Sequence, residues 1–230
     1  SYAASLIPEV GDDPVAIDDA MKLGYNWIKG PFEMLDDIGI DYFIQRLKSE
    51  DRPIPAILAE AQDSSFYRVH EGQLQSRLIG NRWQTIQRAE GIIRFNELRT
   101  TLTPKKHCKV ASWFDLDGIA LVEFHSKANA LDGDSMDILA DAIDHVESNG
   151  MRGLIIHNDA QHFSCGVNLQ LVRNFFRNED MAGLDGFLNH FQQTVKRLSR
   201  VEFPVVAAPV GLSIGGGFEV VLHANQVICH

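Results

Sequence analysis

The run "PVVAAPVGLSIGGGFEVVL", residues 204–222, gathers residues able to do chemistry. Gly215, Gly216 and Gly217 interrupt an apolar run, and a lone acid, Glu219, follows inside another. Glycine loses the most backbone freedom on folding, and a carboxylate in apolar surroundings is costly unless paired or protonated. The order strand, glycine loop, helix leaves backbone N–H groups unpaired at a helix start. Such donors stabilise an anion or a developing oxyanion. Glu219 stands one helical turn after Gly216, on the same face, so an oxyanion donor and a proton-transferring carboxylate are expected to share an apolar pocket. Two other readings compete. The glycines could serve only close helix–strand packing, with Glu219 in solvent. Alternatively, "GLSIG" fits the G-x-S-x-G nucleophile elbow and makes Ser213 a nucleophile. That elbow needs an acid and then a histidine downstream; only His223 and His230 follow, with no Asp or Glu after Glu219.

A second glycine site, "HFSCGVNLQ" at residues 162–170, follows the apolar strand "LIIHN". Two strand-to-loop donor sites in one α/β unit are what a two-point oxyanion hole requires. Cys165 within it is a candidate nucleophile, or simply a small buried cysteine. His157 and His162 lack a third ligand nearby, and no metal site is predicted.

The elements that must position these groups follow from periodicity. "DDPVAIDDAMKLGYNWI" carries a helical apolar pattern. "GPFEMLDDIGIDYFIQRL" breaks at Gly30-Pro31 and resumes as a helix, and "DRPIPAILAEA" opens a short helix. Residues 70–104 are mixed and basic, and the first hundred residues read as mostly helical. From about residue 110 the texture changes. "KVASWFDLDGIALVEFHS" reads as two strands around the Asp117-Gly118 turn. "DSMDILADAIDHVESNG" is an amphipathic helix, "RGLIIHN" a buried strand, "LDGFLNHFQQTVKRLSRV" a second helix and "FPVVAAPV" a strand leading into the glycine loop. Alternating strands and helices predict an α/β unit with right-handed crossovers, and a boundary falls between residues 100 and 109.

Composition narrows the function classes. The 230 residues are 45% hydrophobic and 23% charged, with a net charge of −10. That balance argues against nucleic acid or an anionic membrane as the main partner. Cys108, Cys165 and Cys229 form no disulfide framework, so a reducing, cytoplasmic location is expected. No apolar run approaches the ~20 residues of a membrane helix, and "SYAASLIPEV" lacks a signal peptide's basic and apolar regions. Both ends read as cut, as in a piece of a longer polypeptide.

"KANALD", "HFSCGVNL" and "VGLSIGGGFEVVLHAN", in this order, are similar to motifs of the crotonase (enoyl-CoA hydratase/isomerase) family over residues 110–230. The resemblance implies that the N–H groups of Val167 and Gly216 form an oxyanion hole for a thioester enolate. It implies that Glu219 is the first catalytic glutamate. It also implies a CoA site at Lys127, Ala128, Ala130, Leu131, Cys165 and Asn168, with Lys127 near the phosphates. Asn168 stands where the family usually has Asp, and the family's second catalytic glutamate falls beyond residue 230. Residues 18–41, "DDAMKLGYNWIKGPFEMLDDIGID", resemble the C-terminal domain of 3-hydroxyacyl-CoA dehydrogenases, a likeness covering residues 1–60. The fold class implied is α+β/α/β: a helical dehydrogenase C-domain segment over 1–104, then the first half of a crotonase-like α/β fold over 105–230. The activity implied is that of a bifunctional fatty-acid β-oxidation protein, hydrating 2-enoyl-CoA and oxidising the 3-hydroxyacyl-CoA with NAD. This chain itself is not expected to bind NAD. An isomerase or thioesterase of the same fold, or a non-catalytic interaction fragment using "FLNHFQQTVKRL", are the alternatives. Expected partners are an acyl-CoA substrate, the rest of the polypeptide and a homo-oligomer.

Overall fold

The computed structural model describes residues 1–229; His230 lies outside the described residues. The chain divides into two compact units, Ser1–Thr101 and the residues from Leu102 onward.

The first unit opens with helices α1 (Tyr2–Ser5), α2 (Pro14–Tyr25), α3 (Pro31–Ile38), α4 (Ile40–Ser49) and α5 (Ala56–Glu60). Asp13 caps α2 by accepting from the N–H of Ala16 at 2.9 Å, with Pro14 in the first helical position, where its missing N–H costs nothing. Gly39, at φ 92°, separates α3 from α4. The apolar faces of these helices bury Ile17, Phe32, Leu35, Ile44, Leu47 and Leu58 around Phe66. Beyond them the chain is mostly not helical, which corrects the expectation for this half. Strands β1 (Tyr67–His70), β2 (Gln73–Leu78) and β3 (Arg82–Thr85) form an antiparallel sheet, followed by the short helix α6 (Phe95–Leu98). The turns fall at Glu71-Gly72 and Gly80-Asn81, all four at positive φ, the signature of tight hairpins.

Asp18 ties these elements together. Its carboxylate, fully buried, accepts from the N–H groups of Phe32 (2.8 Å) and Glu33 (3.0 Å) and from the Tyr67 hydroxyl (2.8 Å). A residue of α2 thus satisfies the open start of α3 and anchors β1. Gly30 gives the room: a Cβ there would lie 2.3 Å from Asp18 Cβ. Burial pushes the Asp18 carboxyl above its usual range, against the pull of its three donors. Burial and then the Asp18 charge push the Tyr67 phenol upward, and its hydroxyl is the donor of this pair.

The second unit is a six-stranded sheet in sequence order. It comprises β4 (Lys106–His107), β5 (Ala111–Asp115), β6 (Ile119–Phe124), β7 (Gly153–His157), β8 (Val205–Ala208) and β9 (Gln226–Val227). The first three strands are antiparallel and β6 through β9 are parallel. The β5–β6 turn uses Asp117 and Gly118, both at positive φ, where the sequence predicts it. Helix α7 (Gly133–Asn149) connects β6 to β7, α8 (Leu169–Arg177) and α9 (Met181–Leu198) connect β7 to β8, and α10 (Gly216–Leu222) connects β8 to β9. Asp132 caps α7, accepting from Ser135 N–H, and Gly150 closes it at φ 61°. Trp113, Phe124, Met136, Leu139, Leu154, Phe163 and Leu198 belong to the core of this unit. Strands buried on both faces need apolar runs, which "IALV" (119–122) and "GLII" (153–156) supply. Among the described residues no helix is long and apolar enough to cross a membrane.

Replacing Asp18 by Ala leaves two helix N–H groups and a phenol without acceptors, at about 1–3 kcal/mol for each buried unmade bond. Urea unfolding is expected to show a loss on the order of 3 kcal/mol, and a smaller one for Tyr67→Phe. Because burial holds the folded-state carboxyl above its ordinary value, its protonation contributes stability most fully below about pH 4. That contribution is lost as pH rises through the raised value, so the deficit of Asp18→Ala is expected to narrow over that interval.

Candidate active site

Three segments meet at the ends of β6, β7 and β8: residues 127–131, 162–168 and 211–217. Backbone hydrogen bonds lace the first two together, from Cys165 N–H to Ala128 O (3.1 Å), Leu131 N–H to Gly166 O (2.8 Å) and Asn168 N–H to Leu131 O (2.7 Å). Side chains add two more, Asn129 Nδ2 to His162 O (2.9 Å) and Ser164 Oγ to Asn129 O (2.7 Å). The third segment joins through Ser164 N–H to Leu212 O (3.2 Å) and Ile214 N–H to Ser164 O (3.0 Å).

Close approach explains the glycines. Gly166 sits at φ 91°, and a Cβ there would lie 2.7 Å from Ile214 O and 3.3 Å from Gly216 N. Gly217 faces Ser164 so closely that a Cβ would come within 2.6 Å of Ser164 Cβ. The two glycine loops therefore lie side by side. Among the described residues, neither the N–H of Val167 nor that of Gly216 donates to a protein acceptor. The floor beneath Gly216 is Phe191 of α9, whose Cζ would lie 2.8 Å from a Cβ at Gly216; Val167 Cγ2 would lie 3.0 Å away.

The sequence-predicted residues fall as follows. Val167, Gly216, Ala128, Ala130, Cys165 and Asn168 belong to the laced segments, and Lys127 stands exposed at their entrance. The Asn168 side chain caps α8, accepting from the N–H groups of Gln170 (3.1 Å) and Leu171 (3.4 Å). Leu131 is a correction: its side chain is fully buried in the core, so only its backbone can face a ligand. Glu219 is a second correction. It is exposed, between Phe218 and Leu222 on the outer side of α10, whose buried residues are Gly216, Gly217, Val220 and Val221. No apolar pocket encloses it among the described residues. Cys165 is exposed rather than buried. Ser213 Oγ is buried without any hydrogen-bond partner, so the serine–base contact that activates a nucleophile is absent. His157 Nδ1 donates to Ala208 O at 2.8 Å, and no metal-holding group of His, Cys, Asp or Glu occurs among the described residues. Sequence reasoning missed Asn129, Ser164 and His162 as the residues that lace the loops. The short polar side chains flanking "NAL" and preceding "CG" were the available signal.

The concave spaces of this unit do not all serve these loops. One of about 440 Å³ is lined by Asp132, Leu171, Phe175, Phe187 and His190, and one of about 410 Å³ by Lys106, Cys108, Asp134 and Asp141. Neither includes Val167, Gly216 or Glu219.

The parallel strands and the adjoining glycine loops, with two backbone N–H groups lacking a protein acceptor, define an α/β protein. The chain belongs to the enoyl-CoA hydratase/isomerase family, whose model matches residues 116–230. It is 33% identical over 230 residues to a Bacillus subtilis protein described as a probable 3-hydroxyacyl-CoA dehydrogenase, covering 98% of this chain and 29% of that protein. A Rickettsia felis protein bearing the name of a fatty acid oxidation complex trifunctional enzyme is 25% identical, over 100% of this chain and 29% of its own length. The crystal structure of an enoyl-CoA hydratase from Thermoplasma volcanium aligns with 53% of this chain and 48% of that one, at 23% identity and a TM-score of 0.47. The chain thus spans under a third of the two curated relatives.

Two glycine substitutions separate close approach from ordinary helix preference. Gly166→Ala puts a methyl against Ile214 O at a positive φ and is expected to lower stability by about 2 kcal/mol or more. Gly186→Ala, in α9 with nothing within 4 Å of the added carbon, is expected to raise it by roughly 0.5–1 kcal/mol. Thermal unfolding of both variants checks the contrast.

Proposed function

We propose that this chain forms part of the hydratase site of a fatty-acid β-oxidation protein that adds water across the double bond of a 2-enoyl-CoA. The observation that carries this reading is the pair of unaccepted N–H groups, Val167 and Gly216, on adjoining loops. The thioester carbonyl oxygen accepts from both. Their pull draws electron density from C3 through the conjugated double bond, and the oxygen carries the enolate charge when water adds at C3. Each such donor is typically worth ~3 kcal/mol in the transition state. Glu219 takes the proton released by the attacking water, and the enolate takes a proton at C2, supplied by an acid or water outside this chain, to give the 3-hydroxyacyl-CoA while Glu219 returns its proton to solvent. The exposed position of Glu219 suits a carboxylate that must reach a substrate lying over α10. Lys127, Ala128, Ala130, Cys165 and Asn168 flank the CoA portion, Leu131 contributing through its backbone alone.

The same reading gives residues 1–101 the part of a dehydrogenase C-terminal-domain segment, on the strength of the named relatives. The whole protein then oxidises its own hydration product with NAD. No G-x-G-x-x-G occurs in these 230 residues, which favours cofactor binding by another part of such a protein. The acyl-CoA and the rest of the polypeptide are the partners, a homo-oligomer the assembly, and the cytoplasm the location that suits unpaired Cys108, Cys165 and Cys229.

Crotonyl-CoA hydration by the full-length protein tests the assignment. Glu219→Gln keeps the shape and removes the base, so a loss of roughly 10²–10⁴-fold in kcat is expected with thioester binding preserved. Ser213→Ala is expected to keep turnover. Near-wild-type hydration by Glu219→Gln would show that the base lies elsewhere.

A further inference from the structure

The three segments around Val167 and Gly216 are laced chiefly by backbone atoms, with one exception between the two glycine loops. Leu212 N–H donates to the ring nitrogen Nδ1 of His162 at 3.3 Å. The next bonds along the same seam, Ser164 N–H to Leu212 O and Ile214 N–H to Ser164 O, are backbone to backbone. His162 therefore supplies the acceptor that extends this short parallel seam by one rung. The fit is tight on both sides. Gly211, at φ 61°, approaches so closely that a Cβ would lie 2.1 Å from Gln161 O and 2.9 Å from His162 Nδ1. Asn129 Nδ2 holds the carbonyl of His162 at 2.9 Å, so ring and backbone are fixed from opposite sides.

We infer that His162 is a positioning residue for the second oxyanion donor: by accepting from Leu212 N–H it sets the path of residues 211–217, and hence the direction of Gly216 N–H. The inference rests on the hydratase reading of these loops. Its chemistry is specific. A neutral imidazole accepts at one nitrogen only, so the contact requires the proton on Nε2. The imidazolium has no acceptor and cannot make the bond. The path from His162 to Gly216 is short, because Ile214 O in turn accepts from Gly217 N–H at 3.0 Å. A misdirected donor weakens transition-state binding more than ground-state binding. A defect here should therefore fall on kcat rather than KM.

Side-chain geometry offers a discriminating set of variants. Asn Oδ1 occupies nearly the place of His Nδ1, Gln Oε1 nearly that of Nε2, and Phe keeps the ring without an acceptor. In the full-length protein with crotonyl-CoA, His162→Asn is expected to keep kcat within about twofold of wild type. His162→Phe and His162→Gln are each expected to lose on the order of tenfold in kcat, with KM within twofold. Equal losses in Asn, Gln and Phe, or wild-type kcat in Phe and Gln, would overturn the inference. A second readout is independent of activity. The ¹⁵N resonances of the His162 ring should report the Nε2–H tautomer in the wild-type protein, and Leu212 amide exchange should accelerate in Phe and Gln but not in Asn. An Nδ1–H tautomer, or unchanged exchange in all variants, overturns it as well. If wild-type protein fails to hydrate crotonyl-CoA, the hydratase reading falls, while the tautomer and exchange data still decide whether His162 holds the loop.

Discussion

The second unit depends on one constraint: three chain segments must pass within backbone hydrogen-bond distance of one another at the ends of parallel strands. Peptide groups brought so close leave no room for side chains between them. Gly166, Gly211 and Gly217 occupy points of close approach, where a Cβ would collide with Ile214 O, Gln161 O and Ser164 respectively. In the same loops the Val167 and Gly216 N–H groups have no protein acceptor among the described residues. Backbone donors in folded proteins are normally paired, and the unpaired Val167 and Gly216 N–H groups on adjoining loops are the basis of the oxyanion-hole proposal. The cost of glycine in the unfolded chain and the cost of open donors thus have one origin.

The first unit solves its packing by other means. Its longer helices, α2 through α4, meet in a small core, and a single buried carboxylate closes the start of α3 while holding β1 through Tyr67. Burial acts against that charge, and the three donors offset it. The Asp18 site is thus a structural use of the same elements, a carboxylate facing backbone N–H groups, that the second unit's loops leave open to a ligand.

Much of the second unit was legible in sequence because its signals are local. The Asp117-Gly118 turn, the Gly150 stop and the apolar runs of β6 and β7 each announce an element at its own position. The side-by-side placement of the loops was also readable, since both follow adjacent parallel strands. The environment of Glu219 was not. Its apolar sequence neighbours, Phe218 and Leu222, turn outward with it, and the buried side of α10 is made by Gly216, Gly217, Val220 and Val221. Leu131 shows the opposite case: its motif position says nothing of its side chain, which belongs to the core. The hairpins of residues 67–85 escaped because charged and amide side chains mask the alternation of Leu74, Ser76 and Leu78, leaving only Glu71-Gly72 and Gly80-Asn81 as clues.

The lacing of the loops carries a consequence for how such a site can change. Most of its bonds run between main-chain atoms, so they place few demands on the side chains of Cys165, Val167, Leu212 and Ile214. Those positions can vary in size and polarity while the donors stay in place. Selection can therefore alter the side chains at these positions without rebuilding the backbone arrangement of the loops. A scaffold whose reactive groups belong to the main chain keeps its chemistry through substitution and leaves its preferences free to drift.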